Sequence, residues 1–355
     1  MSMLGVCAQA QEETWIISGQ SNACGRAALP GPNPDPKVQM FNGKQWVTAQ
    51  EPLPSLNGSV GPWHAAALEV AAKGNLILRL MGYAEGGQPI KYWDEGQQGY
   101  TALAANIKQC GLGGGVFLWF QGESDAIGGM DISTYQAKLK DLVSRVRTVA
   151  KNPAMLAVIV QIGAYPGGPG DEKYMAIREA QRQFVIADGN ALLLPAIGRA
   201  GDLHLTKEGY FELGKEIGRA LLKVHYKQKD VNWPGPVLDA AVLAPDGKTA
   251  FAHFAEVKKL EGCEAADFGA GDAEGLVKCV KVVTENTRVA LTLERAVRLP
   301  ANLIYGFGQN PKATLVNEAG NRAPAVQLPL APGAVPQDKP TAAPNGAGPV
   351  NAGKK

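Results

Sequence analysis

The sequence predicts an α/β protein with a doubly wound parallel sheet, followed by a small domain made of β-strands. Up to about residue 230, apolar strand-like runs alternate with segments of helical periodicity. Pro234-Gly235-Pro236 then interrupts the chain, and short alternating runs separated by Gly, Asn and Asp follow. Strands that alternate with helices form parallel sheets with helices on both faces, so we expect a flavodoxin-like three-layer sandwich.

The first part of the chain contains five candidate strands and five candidate helices. The strands are predicted at residues 15–18, 76–81, 116–120, 156–162 and 191–194. The helices are predicted at residues 61–72, 100–110, 133–150, 172–187 and 206–224, where apolar residues recur three or four positions apart. In the second part, five β runs are predicted at residues 240–243, 250–254, 277–283, 289–293 and 303–307.

These patterns divide the chain into four segments. Residues 13–230 form the predicted α/β domain and residues 231–330 the β-rich domain. Residues 331–355 are rich in Pro, Ala, Gly and Asn and are predicted to be disordered. Residues 1–12 are interpreted as the remnant of a signal peptide, because Ala8-Gln9-Ala10 resembles an export cleavage site; the alternative is a tail without function. The first interpretation predicts a secreted or periplasmic protein.

Composition excludes several classes of function. A net charge of +2 gives no reason to expect nucleic acid or an anionic membrane as a partner, and no apolar run is long enough to span a bilayer. No Cys/His cluster has zinc spacing, so neither a metal nor a cofactor is predicted. Cys263 and Cys279 form either a disulfide, which could add about 3 kcal/mol, or two buried thiols. The oligomeric state is not indicated.

Three polar segments lie where ligands bind in such sheets, beyond the C-terminal ends of the strands. Residues 18–22, Ser-Gly-Gln-Ser-Asn, follow the first strand and can present Ser21 on a strand-to-helix turn. Residues 119–125, Trp-Phe-Gln-Gly-Glu-Ser-Asp, leave the third strand. Residues 202–206, Asp-Leu-His-Leu-Thr, precede the last helix, and the imidazole of His204 can accept a proton from a serine near neutral pH. A nucleophile, polar groups for an oxyanion and a base are therefore expected at one edge of the sheet.

These segments resemble a known family. Gly-Gln-Ser-Asn at residues 19–22, Gly-Gly-Gln-Pro-Ile at residues 86–90 with Trp93, the 119–125 segment and Asp-Leu-His are similar to the conserved blocks of the SGNH hydrolases. The similarity is to the branch of sialate O-acetylesterases and acetylxylan esterases. Residues 300–311 and 317–320 are also similar to the C-terminal part of bacterial sialate O-acetylesterases. The resemblance covers roughly residues 14 to 330.

The resemblance implies a role for each matching residue. Ser21 matches the nucleophile and His204 the general base. The oxyanion hole would consist of the amides of Ser21 and Gly87 with the side chain of Gln121. The residues expected to contact substrate are Gln20, Asn22 and Trp93. For Trp93, a place in the core is the alternative to a sugar platform.

The acid that orients His204 is open between two residues. Many SGNH hydrolases carry it three residues before the histidine, but Gly201 occupies that position here. Asp202 is preferred because it lies in the same loop as His204, and Glu123 is the alternative.

The resemblance implies a serine esterase that removes acetyl groups from an oligo- or polysaccharide through an acyl-enzyme, without a cofactor. The sugar is not specified: a xylan, a pectic or other polysaccharide and a sialylated glycan are all compatible. The alternative is a non-catalytic carbohydrate-binding protein on the same fold.

Overall fold

A computed structural model describes residues 11–74, 76–168 and 170–333, and these residues form two β-sheets. The seven strands of the first sheet are β1 (Gln11–Gly19), β2 (Val38–Phe41), β3 (Trp46–Thr48), β4 (Leu76–Ala84), β5 (Val116–Phe120), β6 (Leu156–Gln161) and β7 (Ala191–Pro195). Their order is β3-β2-β4-β1-β5-β6-β7, and only β3 runs antiparallel to its neighbour.

All five strands expected from the sequence are present and parallel, but the prediction of a five-stranded sheet is wrong. The two further strands, β2 and β3, lie at one edge of the sheet and are only four and three residues long. Most of their residues are partly exposed. Strand β1 begins at Gln11, inside the segment of residues 1–12 that was interpreted as the remnant of a signal peptide. Residues 1–10 of that segment lie outside the described residues.

Helices cover both faces of this sheet. They are α1 (Ser21–Cys24), α2 (Trp63–Ala71), α3 (Gln98–Asn106), α4 (Glu123–Gly128), α5 (Ile132–Val149), α6 (Asp171–Asp188) and α7 (Lys207–Val224). Helices α2 and α7 pack on one face and α3, α5 and α6 on the other, which gives the expected three layers. The sequence missed α1 and α4, because four and six residues are too few for a helical periodicity to show.

The layers follow from the alternation of side chains along buried strands. In β1, Trp15 and Ile17 enter the core beneath α2 and α7, whereas Ile16 enters the opposite core. Every residue of β5 and of β6 is buried, as expected for central strands covered on both faces.

The second sheet begins after residue 236. Its strands are β8 (Val237–Leu243), β9 (Thr249–Ala255), β10 (Phe268–Asp272), β11 (Gly275–Glu285), β12 (Arg288–Leu293), β13 (Asn302–Tyr305), β14 (Val326–Pro329) and β15 (Ala331–Pro332). Their order is β14-β13-β10-β11-β12-β9-β8-β15, with a separate apolar core. Residues 331 and 332 were expected to be disordered, but β15 pairs with Val242 and Leu243; residues 334–355 lie outside the described residues.

Of the two alternatives for Cys263 and Cys279, the structure shows the free thiols and not the disulfide. Each thiol packs against the apolar core of the second sheet. The Sγ atom of Cys279 donates to the main-chain oxygen of Lys281 at 3.1 Å. Burial raises the pKa of the Cys263 thiol to about 11, so the thiolate needed for disulfide exchange is scarce near neutral pH.

Among the described residues, no helix is both long and apolar enough to cross a membrane.

Buried hydrogen bonds join the two sheets. Arg178 of α6 is fully buried and donates to the carbonyl oxygens of Ile162 and Gly163 beyond β6 and of Gly306 and Gly308 beyond β13. Gln161 of β6 exchanges two hydrogen bonds with the main chain of Ala325, at 2.8 and 2.9 Å. The sheets therefore meet across a polar, water-excluded seam close to the C-terminal end of β6.

Replacing Arg178 with methionine is expected to destabilise the whole chain. The change leaves four buried carbonyl groups without their donor, which should cost about 3 kcal/mol or more of unfolding free energy. Arg298 forms a solvent-exposed pair with Glu274 at 3.2 Å and is the control. Arg298→Met should cost less than about 1 kcal/mol. Equal urea midpoints for the two variants would contradict the importance of the seam.

Candidate active site

The first polar segment begins where β1 ends against β5. A side chain at Gly19, which has φ +139°, would collide with the carbonyl oxygen of Phe120. Gln20 then donates its main-chain N–H to the same carbonyl at 3.0 Å. The chain can therefore turn at once from the strand into α1, which places Ser21 at the C-terminal edge of the sheet.

The structure brings Ser21 and His204 together across 183 sequence positions. Ser21 Oγ lies 3.0 Å from His204 Nε2, a hydrogen-bond distance. Leu205 and Thr206 follow the histidine, and Thr206 caps α7 by accepting from the N–H of Gly209 at 3.0 Å. Imidazole and hydroxyl are thus arranged for proton transfer from serine to histidine.

The surroundings of His204 favour its neutral form. Burial lowers the pKa of the imidazole below its ordinary value of 6.5, the Asp202 carboxylate opposes this, and the Arg26 guanidinium adds to it. Arg26 lies beside the site, because a side chain at Gly86 would meet its guanidinium and would come within 3.8 Å of Ser21 Cβ. A neutral imidazole is the form that accepts a proton.

Asp202 is not hydrogen-bonded to the imidazole as the sequence interpretation required. Its Oδ1 lies 3.9 Å from His204 Nδ1 and instead accepts the main-chain N–H of His204 at 2.7 Å. Its side chain is 79% exposed. Asp202 therefore acts on the imidazole through charge and through the shape of the loop.

Glu123, the alternative acid, hydrogen-bonds to Asn22 and not to His204. Its Oε1 accepts from Asn22 Nδ2 at 2.7 Å, and its Oε2 is buried without a partner among the described residues. Burial raises the pKa of Glu123 to about 7. Asn22 is fully buried, with hydrogen bonds at both ends of its amide, so the expectation that it contacts substrate is wrong.

One unpaired main-chain N–H belongs to Ser21 itself. The amide of Ser21 opens α1 and has no acceptor among the described residues, as is usual for the first turn of a helix. Gly86 lies against Ser21, and a Cβ added at Gly87, which has φ +72°, would meet nothing within 4 Å. The amide of Ser21 can therefore supply one donor for an oxyanion, and the amide of Gly87 stays the second donor that the resemblance implies.

Gln121 does not fit the expected third oxyanion donor. It is fully buried, and its Nε2 faces the side-chain oxygens of Asp125 and Gln20 and the carbonyl oxygen of Gln88 at 3.1 Å. Asp125 in turn accepts the main-chain N–H of Ile90 at 2.8 Å. Gln121 therefore holds the loop that carries Gly86 and Gly87.

Gln20 has a different environment from Gln121. Its Oε1 accepts from the main-chain N–H groups of Gly122 and Ser124, at 3.4 and 3.2 Å. This fixes the orientation of the amide, and its Nε2 finds no acceptor among the described residues. Gln20 thus keeps an NH₂ group for a ligand.

Trp93 is a core residue, so the prediction of a sugar platform is wrong. Its ring is fully buried and packs edge-on against Tyr92 and Trp119, and the ring centres are 5.1 Å apart in each pair.

The sequence analysis assigned no role to three residues near the site: Arg26, Asp125 and Tyr210. Tyr210 lies on the buried face of α7, and no motif marked its hydroxyl, which donates to Asn22 Oδ1 at 2.7 Å. No His/Cys/Asp/Glu cluster suited to a metal ion occurs in residues 11–74, 76–168 and 170–333.

A serine paired with a histidine at the edge of a doubly wound sheet, with the amide of the serine free, is the arrangement typical of SGNH esterases. The chain belongs to the carbohydrate esterase family of sialic acid-specific acetylesterases, whose family model matches residues 11–223.

Two known proteins show the likeness in detail. A probable carbohydrate esterase from Arabidopsis thaliana is 27% identical over 241 residues, which is 59% of this chain and 90% of that protein. Its crystal structure superposes with a TM-score of 0.52 at 28% identity, covering 59% of this chain and 98% of that one. A carbohydrate acetylesterase from Xanthomonas citri superposes with a TM-score of 0.71 at 17% identity, covering 89% of this chain and 80% of that one. The bacterial likeness shows that the fold is shared over most of this chain.

The acid limb of the pH profile should report His204. Because burial lowers the pKa of His204 below 6.5, the midpoint of the fall in kcat/KM for p-nitrophenyl acetate should lie below pH 6.5. Arg26→Gln removes a charge that lowers this pKa, so the limb should move to higher pH. Arg182→Gln, on α6, is the control and should leave the limb in place. A midpoint above 6.5 in the wild type, or a downward shift in Arg26→Gln, would refute the assignment.

Asp202→Asn should have only a small effect on catalysis. The amide oxygen of asparagine can still accept the main-chain N–H of His204, and no bond to the imidazole is lost. We expect kcat to fall by less than about tenfold, compared with about 10⁴-fold where the acid is bonded to the histidine. Steady-state kinetics with the same ester provide the measurement, and a loss approaching the larger figure would restore Asp202 as the orienting acid.

Proposed function

We propose that this protein hydrolyses O-acetyl esters on carbohydrates through an acetyl-enzyme formed on Ser21. The observation that carries the proposal is the 3.0 Å contact between Ser21 Oγ and His204 Nε2 beside the unpaired main-chain amide of Ser21. Membership of a carbohydrate esterase family supports the reaction class.

In the first half of the reaction, Ser21 Oγ attacks the acetyl carbon as its proton passes to His204 Nε2. The amides of Ser21 and Gly87 donate to the carbonyl oxygen as it becomes negative. The bond between the acetyl carbon and the sugar oxygen then breaks, and His204 returns the proton to that oxygen. In the second half, His204 takes a proton from water as the water oxygen attacks the acetyl carbon. The bond to Ser21 Oγ then breaks, His204 returns the proton to that oxygen, and acetate leaves.

Two polar side chains are the best candidates for contact with the sugar. Gln20 keeps its Nε2 without a protein partner, and Arg26 lies at the mouth of the site beside Gly86. The substrate is an acetylated oligo- or polysaccharide, and a sialylated glycan, a xylan and a pectic polysaccharide remain the candidates. The secreted or periplasmic location that Ala8-Gln9-Ala10 suggests stays a prediction.

Ser21→Ala should abolish esterase activity without unfolding the protein. The hydroxyl carries the acyl group, and its loss should lower kcat for p-nitrophenyl acetate by about 10⁴-fold or more. Ser133→Ala is the matched control, because its hydroxyl bonds only to exposed Asp131 at the start of α5. Circular dichroism checks folding, and release of acetate from a panel of acetylated glycans identifies the sugar. Activity of folded Ser21→Ala within tenfold of the wild type would exclude Ser21 as the nucleophile.

A further inference from the structure

We infer that Asn22, supported by Glu123 and Tyr210, is a positioning residue that sets His204 against Ser21. This inference rests on the proposed function of the Ser21–His204 pair. Neither Asp202 nor Glu123 hydrogen-bonds to the His204 imidazole, and the inference assigns the task of holding His204 to Asn22.

Asn22 holds the peptide groups on both sides of His204. Its Nδ2 donates to the carbonyl oxygen of Leu203 at 3.2 Å, and its Oδ1 accepts from the N–H of Leu205 at 3.4 Å. Asn22 also follows Ser21 directly in α1. One side chain therefore ties the main chain of the nucleophile to the main chain of the base.

Two further residues fix the orientation of this amide. Glu123 Oε1 accepts from Asn22 Nδ2, and Tyr210 donates to Asn22 Oδ1, each at 2.7 Å. An amide turned by 180° would place its oxygen against the Glu123 carboxyl and its NH₂ against the N–H of Leu205. Asn22 is fully buried and Glu123 is 1% exposed, so water does not replace these bonds.

The arrangement explains how His204 is held without a carboxylate on its Nδ1. In serine hydrolases the acid orients the imidazole by a hydrogen bond to that nitrogen. Among the described residues none makes that bond, and Asp202 Oδ1 lies 3.9 Å away. Here the restraint acts on the backbone, assisted by the N–H of Gly201, which donates to the carbonyl oxygen of His204 at 3.0 Å.

Asn22→Ala tests the inference, because it removes the four hydrogen bonds and leaves the side chains of Ser21 and His204 chemically unchanged. We expect kcat for p-nitrophenyl acetate to fall about 100-fold with KM within about threefold, as for a group that acts only on the transition state. Labelling of Ser21 by a fluorophosphonate should slow to a similar extent. Asn106→Ala is the matched control: Asn106 makes a comparable bond from α3 to the carbonyl oxygen of Gly82, at 3.0 Å.

A reversed pair tests direct contact between residues 22 and 123. Asn22→Asp sets two carboxyl groups against each other and should be as slow as Asn22→Ala. In Asn22→Asp/Glu123→Gln, the new glutamine can donate to the new aspartate, so activity should recover about tenfold over Asn22→Asp alone. The bond to Leu203 stays broken, so recovery should be partial. If the double variant is no more active than Asn22→Asp, the side chains at positions 22 and 123 do not act as a pair, and the inference is overturned.

The NMR signals of the His204 imidazole show whether Asn22 positions this ring or only contributes to folding. They can also be measured in variants whose activity is too low to assay. The chain has four histidines, so the ¹⁵N-imidazole signals of His204 can be assigned by comparison with His204→Gln. In folded Asn22→Ala these signals should shift or broaden, and Tyr210→Phe, which removes a single bond, should show a smaller change. If Asn22→Ala does not fold, Tyr210→Phe carries the test through both readouts.

The outcomes distinguish this inference from the proposed function. Wild-type protein that neither hydrolyses acetyl esters nor reacts with fluorophosphonate refutes the proposed function, and the imidazole signals still test the role of Asn22. Active wild type with equally active Asn22→Ala refutes the inference alone. A rise in KM with unchanged kcat would also overturn it, because Asn22 would then bind substrate.

Discussion

The hydrogen bond between Ser21 and His204 is the interaction on which the rest of the site depends. It joins residues 183 positions apart, so two separately built parts of the chain must meet within a fraction of an ångström. The central position of β1 in the sheet fixes one end of the bond, and the loop before α7 fixes the other. The buried strands of the first sheet provide the rigid reference for both ends.

Polar groups buried behind this pair hold the loops in register. Gln121 and Asp125 fasten the loop that carries Gly86 and Gly87, while Glu123 and Tyr210 meet at Asn22. Such groups are costly to bury unless they are paired, and here each bond joins two different segments at the C-terminal edge of the sheet. The segment at residues 119–125 thus mainly supports the residues around Ser21 and His204 by hydrogen bonds to Asn22, Ile90 and Gln88.

The sequence predicted the strands and helices that carry long buried or amphipathic patterns, and it correctly placed Ser21 at the turn after β1 and His204 in the loop before α7. It did not predict β2, β3 or α1, because elements of three or four residues show no periodicity. It also assigned Asn22, Gln121 and Trp93 to direct contact with the ester or sugar. The sequence shows that a polar or aromatic residue belongs to a motif, but it does not show whether the side chain points into the cleft or into the core beneath it. That direction is set by the fold.

The seam around Arg178 bears on how the two sheets were combined in evolution. The family model ends at residue 223, and the Arabidopsis relative aligns with only 59% of this chain, so the α/β part has counterparts of its own. In this chain, however, removal of the second sheet would expose a guanidinium and an amide that are now fully buried. The β part therefore covers polar side chains of the α/β part, and a β part exchanged from a relative would need acceptors for the side chains at positions 161 and 178.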